Sequence, residues 1–315
     1  MPVPTLLDIA KHVGNDALVG LIEEAAIPCP EITGVDPWTG ARIGNMGAAR
    51  TIPGLNYKTL VRTGLPTVGF RNANEGATPS LSTYENRLVE TYILNPQWEA
   101  DKAVADRHPD GWQAYLALEG VGMMMAALIA LARQFYYGGN TNGDAKGHPG
   151  LIDAVSSDLT VDATGTGGTT SSVWGVKFGP RDVQWVYGND GSLELSDVST
   201  VRLQDAALKP YTGYRQEILA YPGLQVGSIY SCGRVKNVGT ASGKTLEDDM
   251  IIDLLSKFKA GQRPDVLLMS RRSRKQLQQS RTAVNATGAP APMPTEVEGV
   301  PIVATDAILD TETAS

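Results

Sequence analysis

An α+β fold is what this sequence predicts, and three observations carry the prediction. Strand-forming segments come as an early pair and again as a later run. One long helix of low charge lies between them. The chain also holds 34 Gly and 19 Pro, a content that favours turns over a helical bundle. At 315 residues, 42% hydrophobic and 19% charged, it has material for one large domain or two intertwined ones with a core to match.

Residues Thr5 to Ala26 read as two short amphipathic helices broken at Gly14–Asp16, with Asn15 or Asp16 as cap of the second. Ile27 to Gly47 is rich in Pro and Gly without a clear period and reads as an extended arm. Gly54–Asn72 and Ser82–Leu94 carry β-branched and aromatic residues around a polar turn, Asn72–Ser80, so a long hairpin is expected. Its arms are too polar to be buried on both faces, and it should project from the body.

The stretch DGWQAYLALEGVGMMMAALIALARQFYYGG predicts a helix over Asp110–Tyr137, with Asp110 as N-cap and Gly138 as stop. At 1.5 Å per residue it would span roughly 42 Å. Val121, Met124, Met125, Leu128, Leu131 and Phe135 mark its apolar face. Gly122, Ala126 and Ala130 line the other side with Glu119 and Arg133, where small residues would let a second layer of backbone approach closely. The uncharged core, Gly120–Ala132, is shorter than the ~20 residues a bilayer needs, so the reading is a helix buried in protein.

Further along, TVDATGTGGTTSS reads as a loop, and SVWGVKFG, DVQWVYG and SLELSDVSTVRL as strands, with GNDG as a turn. The segment YRQEILAYPGLQVGSIYSCGRVKNV supplies two or three more strands. Thr245 with Asp248 resembles a capping box for a helix ending at Gly261, its buried stripe being Ile251, Leu254, Leu255 and Phe258. PDVLLMS then reads as a buried strand, RRSRKQLQQS as a basic helix and VEGVPIVATDAIL as a closing strand.

The net charge of −7 and pI near 5.1 oppose a dedicated nucleic-acid binder. Cys29 and Cys232 stand alone, which supports neither a disulfide framework nor a zinc site and fits a reducing compartment. The opening MPVPTLLDIAKHVGND does not read as a signal peptide. His12, His108 and His148 form no HExxH pair, and the latter two, each before a Pro, are expected as exposed loop histidines. In GTASGKT, Gly239 and Gly243 are one residue too close for a phosphate loop. GTGGTT is no dinucleotide fingerprint, and no nucleophile elbow occurs. Arg271, Arg272, Arg274 and Lys275 cluster on the basic helix, as a solvated face or subunit contact before a phosphate patch. No catalytic, cofactor or metal residue is singled out, and a structural role gains weight.

Taken in order, these segments resemble the major capsid proteins of tailed double-stranded-DNA bacteriophages, the Hong Kong 97-type fold, from about Leu21 to Leu309. GLNYKTLVRTGLPTVGFRNANEGATPS is similar to the extended loop of that family, QFYYGGNTNGDAKGHPGLID to the segment leaving its spine helix, and PDVLLMSRRSRKQLQQ to its strand-then-helix. SVWGVKFGPRDVQWVYGNDG and YPGLQVGSIYSCGRVKN are similar to its axial-domain strands. The resemblance implies an N-terminal arm (1–53), an extended loop (54–94), a peripheral domain with the spine helix (95–150, completed by C-terminal segments) and a mainly axial domain (151–315) that returns to the peripheral one. It implies self-assembly into pentamers and hexamers around packaged double-stranded DNA, with weak non-specific DNA contact, in a virion put together in host cytoplasm. Scaffolding, portal and decoration proteins are further partners in that family; no membrane is involved. Arg62, Phe70, Arg71, Asn74, Glu75, Tyr84 and Arg87 of the extended loop are then the expected assembly contacts. The tip, Asn72–Ser80, has no lysine, the nearest on the hairpin being Lys58, so covalent cross-linking of loops is not expected. An encapsulin-type compartment and a phosphate-binding α/β enzyme using Lys244 are the competing readings.

Overall fold

A computed structural model of the chain describes residues 23–191, 193–285 and 289–314. The two helices expected over Thr5–Ala26, and His12, lie outside it up to residue 22; residues 23–26 are not helical.

After a one-turn helix α1 (Pro30–Thr33), strand β1 (Ala49–Thr51) leads into the hairpin β2 (Asn56–Gly64) and β3 (Thr83–Glu90). Strand β4 (Gln97–Asp101) and a one-turn helix α2 (Lys102–Ala105) precede the long helix α3 (Trp112–Tyr137), which is followed by the turn α4 (Leu151–Ala154). Then come β5 (Thr160–Asp162), β6 (Ser171–Val176), β7 (Val183–Tyr187), β8 (Ser199–Gln204), β9 (Pro210–Glu217), β10 (Pro222–Val226) and β11 (Cys232–Val238). Helix α5 (Asp248–Ser256), strand β12 (Val266–Met269), helix α6 (Arg271–Ala283) and the pair β13 (Glu296–Val297) and β14 (Val300–Ala304) follow.

The main sheet runs β13-β14-β12-β6-β11-β5, with β6 antiparallel to both β11 and β12. Every residue of β6 and β12 is buried, which is why VLLM reads as a continuous apolar run and not an alternating one. Because successive side chains point to opposite faces, β12 feeds two cores. Val266 and Leu268 join Trp174, Phe135, Tyr136 and Trp185 on one side. Leu267 and Met269 join Ile251, Leu254, Phe258 and Leu277, from α5 and α6, on the other. The stripe expected on α5 is buried throughout.

Helix α3 bridges this sheet and a smaller antiparallel one, β4-β9-β8. Its first turns pack Tyr115 and Leu116 on Ala100 and Tyr214, and its middle sets Met123 and Ala127 on Ile218 and Ala220. The close approach needs Gly120, where a Cβ would stand 2.9 Å from both Gln216 Oε1 and Leu195 Cδ2. At its end Gly138 (φ 53°) turns the chain, and a Cβ there would fall 2.2 Å from the Gly150 nitrogen. Buried Gln134 secures the departing segment, donating to the His148 and Asp144 carbonyls at 2.7 and 3.1 Å and accepting from the Asp144 amide at 2.9 Å.

Several expectations need correction. The helix is capped by Gly111 (φ 88°), not Asp110, because the corner turns through a left-handed residue while the Asp110 amide donates to His108 Nδ1 at 3.2 Å. The buried face is Leu116, Gly120, Met123, Ala127, Leu131 and Phe135; Val121 is 51% exposed. A helix apolar nearly all round cannot choose its buried side by periodicity, so its neighbours choose. Nor is it buried as a whole: it is long and apolar enough to cross a bilayer, yet only 33% of that apolar window is covered. Helix α5 begins at Asp248, with Glu247 at the N-cap position and no side-chain cap, because Leu246 is drawn fully into the core and its amide donates to Gln276 Oε1. It stops at Ser256, and Gly261 serves a separate turn at φ 84°. SLELSDVSTVRL forms a strand only from Ser199. His108 and His148 are buried, not exposed, and burial holds the His148 ring neutral.

The segment expected as an extended arm over Ile27–Gly47 includes α1 and packs on its own body, burying Glu31 and Met46 completely. Glu31 accepts from the Tyr136 hydroxyl at 2.7 Å, and its carbonyl accepts from Trp185 Nε1 at 2.9 Å. Loss of hydration raises its carboxyl to about 7. Burial likewise lifts the Cys29 thiol to about 11 and that of Cys232 to about 12, so neither is a reactive thiolate.

Candidate assembly interface

Strands β2 and β3 pair from Asn56↔Glu90 to Gly64↔Thr83, with an irregularity between Arg62 and Gly64. Among the described residues, only the root is anchored. Val89 is buried with Ile52 and Val186, the Tyr57 hydroxyl donates to Gln225 Oε1, and the Arg50 guanidinium lies 5.0 Å from the Tyr57 ring centre. Beyond the root both faces are open to solvent. Leu60, Leu65, Val68, Phe70, Leu81, Tyr84 and Leu88 are all exposed, Phe70 completely so. Among the described residues nothing covers these apolar side chains, and a ribbon of two strands has little stability alone. A row of this kind marks a surface that something else covers.

The seven expected contact residues divide into three places. Arg62 and Tyr84 face each other on the ribbon, Nη2 3.2 Å from the hydroxyl and the guanidinium 5.3 Å from the ring centre; Arg62 lowers the pKa of that phenol. Phe70, Arg71, Asn74 and Glu75 form the tip. There the Asn72 amide donates to Glu75 Oε2 at 3.0 Å, Arg71 Nη1 donates to the Glu75 carbonyl at 2.7 Å, and Asn74 takes φ 67°. The tip is therefore a self-braced polar turn carrying an exposed aromatic ring. Arg87 sits apart: its Nη1 donates to the Gly227 carbonyl at 3.1 Å, fixing the root to the body. Leu60, Leu65, Val68, Leu81 and Leu88 were not among the expected contacts. Their signal was in the sequence, as apolar residues on a ribbon already judged too polar to be buried.

The three arginines of the basic cluster on α6 are engaged internally, while Lys275 is exposed. Arg271 pairs with Asp306 at 2.7 Å, Arg272 with Asp310 at 3.3 Å, and Arg274 donates to the Pro294 carbonyl at 2.9 Å. The GTASGKT segment forms no phosphate cradle either. The Gly239 amide donates to the Lys244 carbonyl and the Lys244 amide to the Ala241 carbonyl, so these donors are used within the turn. Helix α5 starts only at Asp248, which removes the helix N-terminus such a loop needs. Among the described residues no cluster of three His, Cys, Asp or Glu is placed to hold a metal.

A long helix laid across a small sheet, a larger sheet covered by two helices, and a ribbon thrown clear of the body together define a phage capsid subunit of the Hong Kong 97 type. Known proteins of similar structure agree with the geometry. A chain from the structure of bacteriophage Epsilon15 matches with a TM-score of 0.72 over 100% of this chain and 98% of that one, at 21% identity. More distant structural matches include a chain of Mycobacterium phage Bobi (TM-score 0.44, 10% identity, 76% of this chain and 99% of that one). The SrpI encapsulin of Synechococcus elongatus PCC 7942 is as remote (TM-score 0.43, 10% identity, 71% and 96%). No curated protein matches in sequence. The family model of the major capsid protein GP7 matches residues 48–315, and the chain belongs to that family. It is a structural protein of the virion shell.

Proposed function

We propose that this subunit assembles into pentamers and hexamers that close an icosahedral head around packaged double-stranded DNA, and that it performs no catalysis. The observation carrying this reading is the hairpin 54–94, whose apolar side chains are left uncovered by the described residues of the subunit. Burying one large apolar side chain contributes about 1.5–3 kcal/mol. Several such residues on one projecting ribbon would hold a neighbouring subunit through one contact repeated around a ring, as closed heterologous assembly requires. Arg62, Phe70, Arg71, Asn74, Glu75 and Tyr84 belong to that contact, with Arg87 setting its angle from the root.

The described part of the arm, residues 23–53, forms its docking base, and 95–150 the peripheral unit, with β8 and β9 supplied from mid-chain and the C-terminal segment packed on the end of α3. Most of 151–315 forms the axial unit. Lys58 pairs opposite Leu88, far from the tip, so neighbouring loops lock without a covalent bond. A net charge of −7 suits a wall that does not grip DNA, and the particles assemble in host cytoplasm with scaffolding, portal and decoration proteins as candidate partners.

Negative-stain electron microscopy of the full chain, expressed alone and fractionated by size, tests the reading. Shells or capsomer rings for the wild type, lost in Phe70→Asp with the circular dichroism spectrum unchanged, are expected. Shells that form equally well from the variant would overturn the hairpin's role.

A further inference from the structure

Helix α3 turns its Leu131 side to the body and leaves Glu119, Gly122, Ala126, Ala130 and Arg133 exposed. At 3.6 residues per turn these five fall within a sector of about 80°. A Cβ built at Gly122 meets nothing within 4 Å. Alongside, Leu118, Met125 and Ile129 are only half-covered. Among the described residues, neither Glu119 nor Arg133 makes an ion pair. The face is thus open, low in relief, largely apolar, and bounded by one free charge of each sign.

The arrangement has a centre. Gly122 and Ala130 each lie four residues from Ala126, and Glu119 and Arg133 each lie seven from it (126 − 119 = 133 − 126). We propose that this face docks on the same face of a second copy, antiparallel, across a two-fold axis through Ala126. In that pairing Glu119 of each copy meets Arg133 of the other, at both ends of the contact. Gly122 of each copy lies opposite Ala130 of the other, and the small side chains let the axes approach to about 8 Å. A parallel pairing would set Glu against Glu and Arg against Arg, so the charges select the antiparallel one. An isologous contact needs only this self-complementarity.

The contact rests on the shell reading in one respect: it needs neighbouring copies held at high local concentration. A single helix pair covers less than the roughly 1,200 Å² that stable free complexes bury, so it holds within the shell and not between free subunits.

Ala126→Cys tests the axis directly, since the native Cys29 and Cys232 are buried. Mild oxidation of assembled particles, read on a non-reducing gel, should convert most of the A126C subunits to disulfide dimer. V121C, equally solvent-facing but about 140° round the helix, should stay monomeric. Glu119→Arg and Arg133→Glu should each lower particle yield at least ten-fold, and the double variant E119R/R133E, which restores the pairing with its signs exchanged, should recover it. Particles in which A126C stays monomeric and reacts with a maleimide polymer would overturn the proposal, while their existence leaves the shell reading intact. A double variant no better than either single one would overturn it as well.

Discussion

Glutamate 312 ties the end of the chain to the two main elements of the fold, and its removal should be costly. Its side chain is 3% exposed and faces Arg234, 6% exposed, at 3.3 Å. One carboxylate oxygen also accepts from the Ser172 hydroxyl on β6 at 2.6 Å, and the other from the Tyr137 hydroxyl at the end of α3 at 2.6 Å. Arg234 Nε donates to Ser172 at 3.0 Å, and its guanidinium lies 5.2 Å from the Trp174 ring centre. Glu312→Ala leaves a buried guanidinium without its counter-charge and two hydroxyls without their acceptor. Breaking one side of such a pair costs about 3–5 kcal/mol. The reference must be the right one, because the pair itself is not the source of that energy. Arg234→Met with Glu312→Leu removes both charges together and should cost less than E312A alone. Urea unfolding of unassembled subunits, followed by tryptophan fluorescence, measures all three. A loss for E312A below about 1 kcal/mol would refute the reasoning, since the site would then be wet or able to relax.

Glu31 predicts a pH dependence of defined sign. Its carboxyl is raised from 4.5 to about 7, so between these values the folded state holds a proton that the unfolded state has released. Stability is fully present below pH 4.5 and is lost as pH rises to about 7, by an amount on the order of 3 kcal/mol. Thermal scans of Glu31→Gln between pH 5 and 8 should lack that slope; an unchanged slope would mean that other groups cause it. Gly120→Val should destabilise by about 1–3 kcal/mol through overpacking against Gln216 and Leu195 while leaving the far-ultraviolet spectrum intact, and a neutral result would show that β9 can yield. Lys244→Ala should leave both assembly and stability unchanged, checked by particle yield and Tm; a large drop would reopen a ligand role for that turn.

How much of this was legible beforehand varies element by element. The hairpin, the long helix and the buried strand β12 could be read from the sequence. Each writes its environment into a local pattern: strand formers around a polar turn, a 26-residue helix rich in Ala, Leu and Met with few charges, a short unbroken apolar run. The proposed contact residues were half legible. Arg62, Tyr84 and the tip stood out as polar and aromatic, whereas the exposed leucines of the ribbon could be assigned only once the structure left them uncovered.

Other features were set by contacts distant in sequence. Which face of α3 is buried depended on Ile218, Ala220 and Tyr214, some hundred residues away, because a helix that is apolar all round has no preferred side of its own. Capping followed the same rule. Thr245 and Asp110 had the right chemistry, but the burial of Leu246 and the left-handed corner at Gly111 moved both helix starts inward. The burial of Glu31, His108 and His148 was likewise invisible, since a polar residue shows its environment only when the fold supplies its partners. Sequence alone thus determined which segments become strands and helices, and that one ribbon projects from the body. Tertiary structure decided which side of each element faces inward, because that choice is a free-energy difference between distant surfaces and is recorded in no single segment.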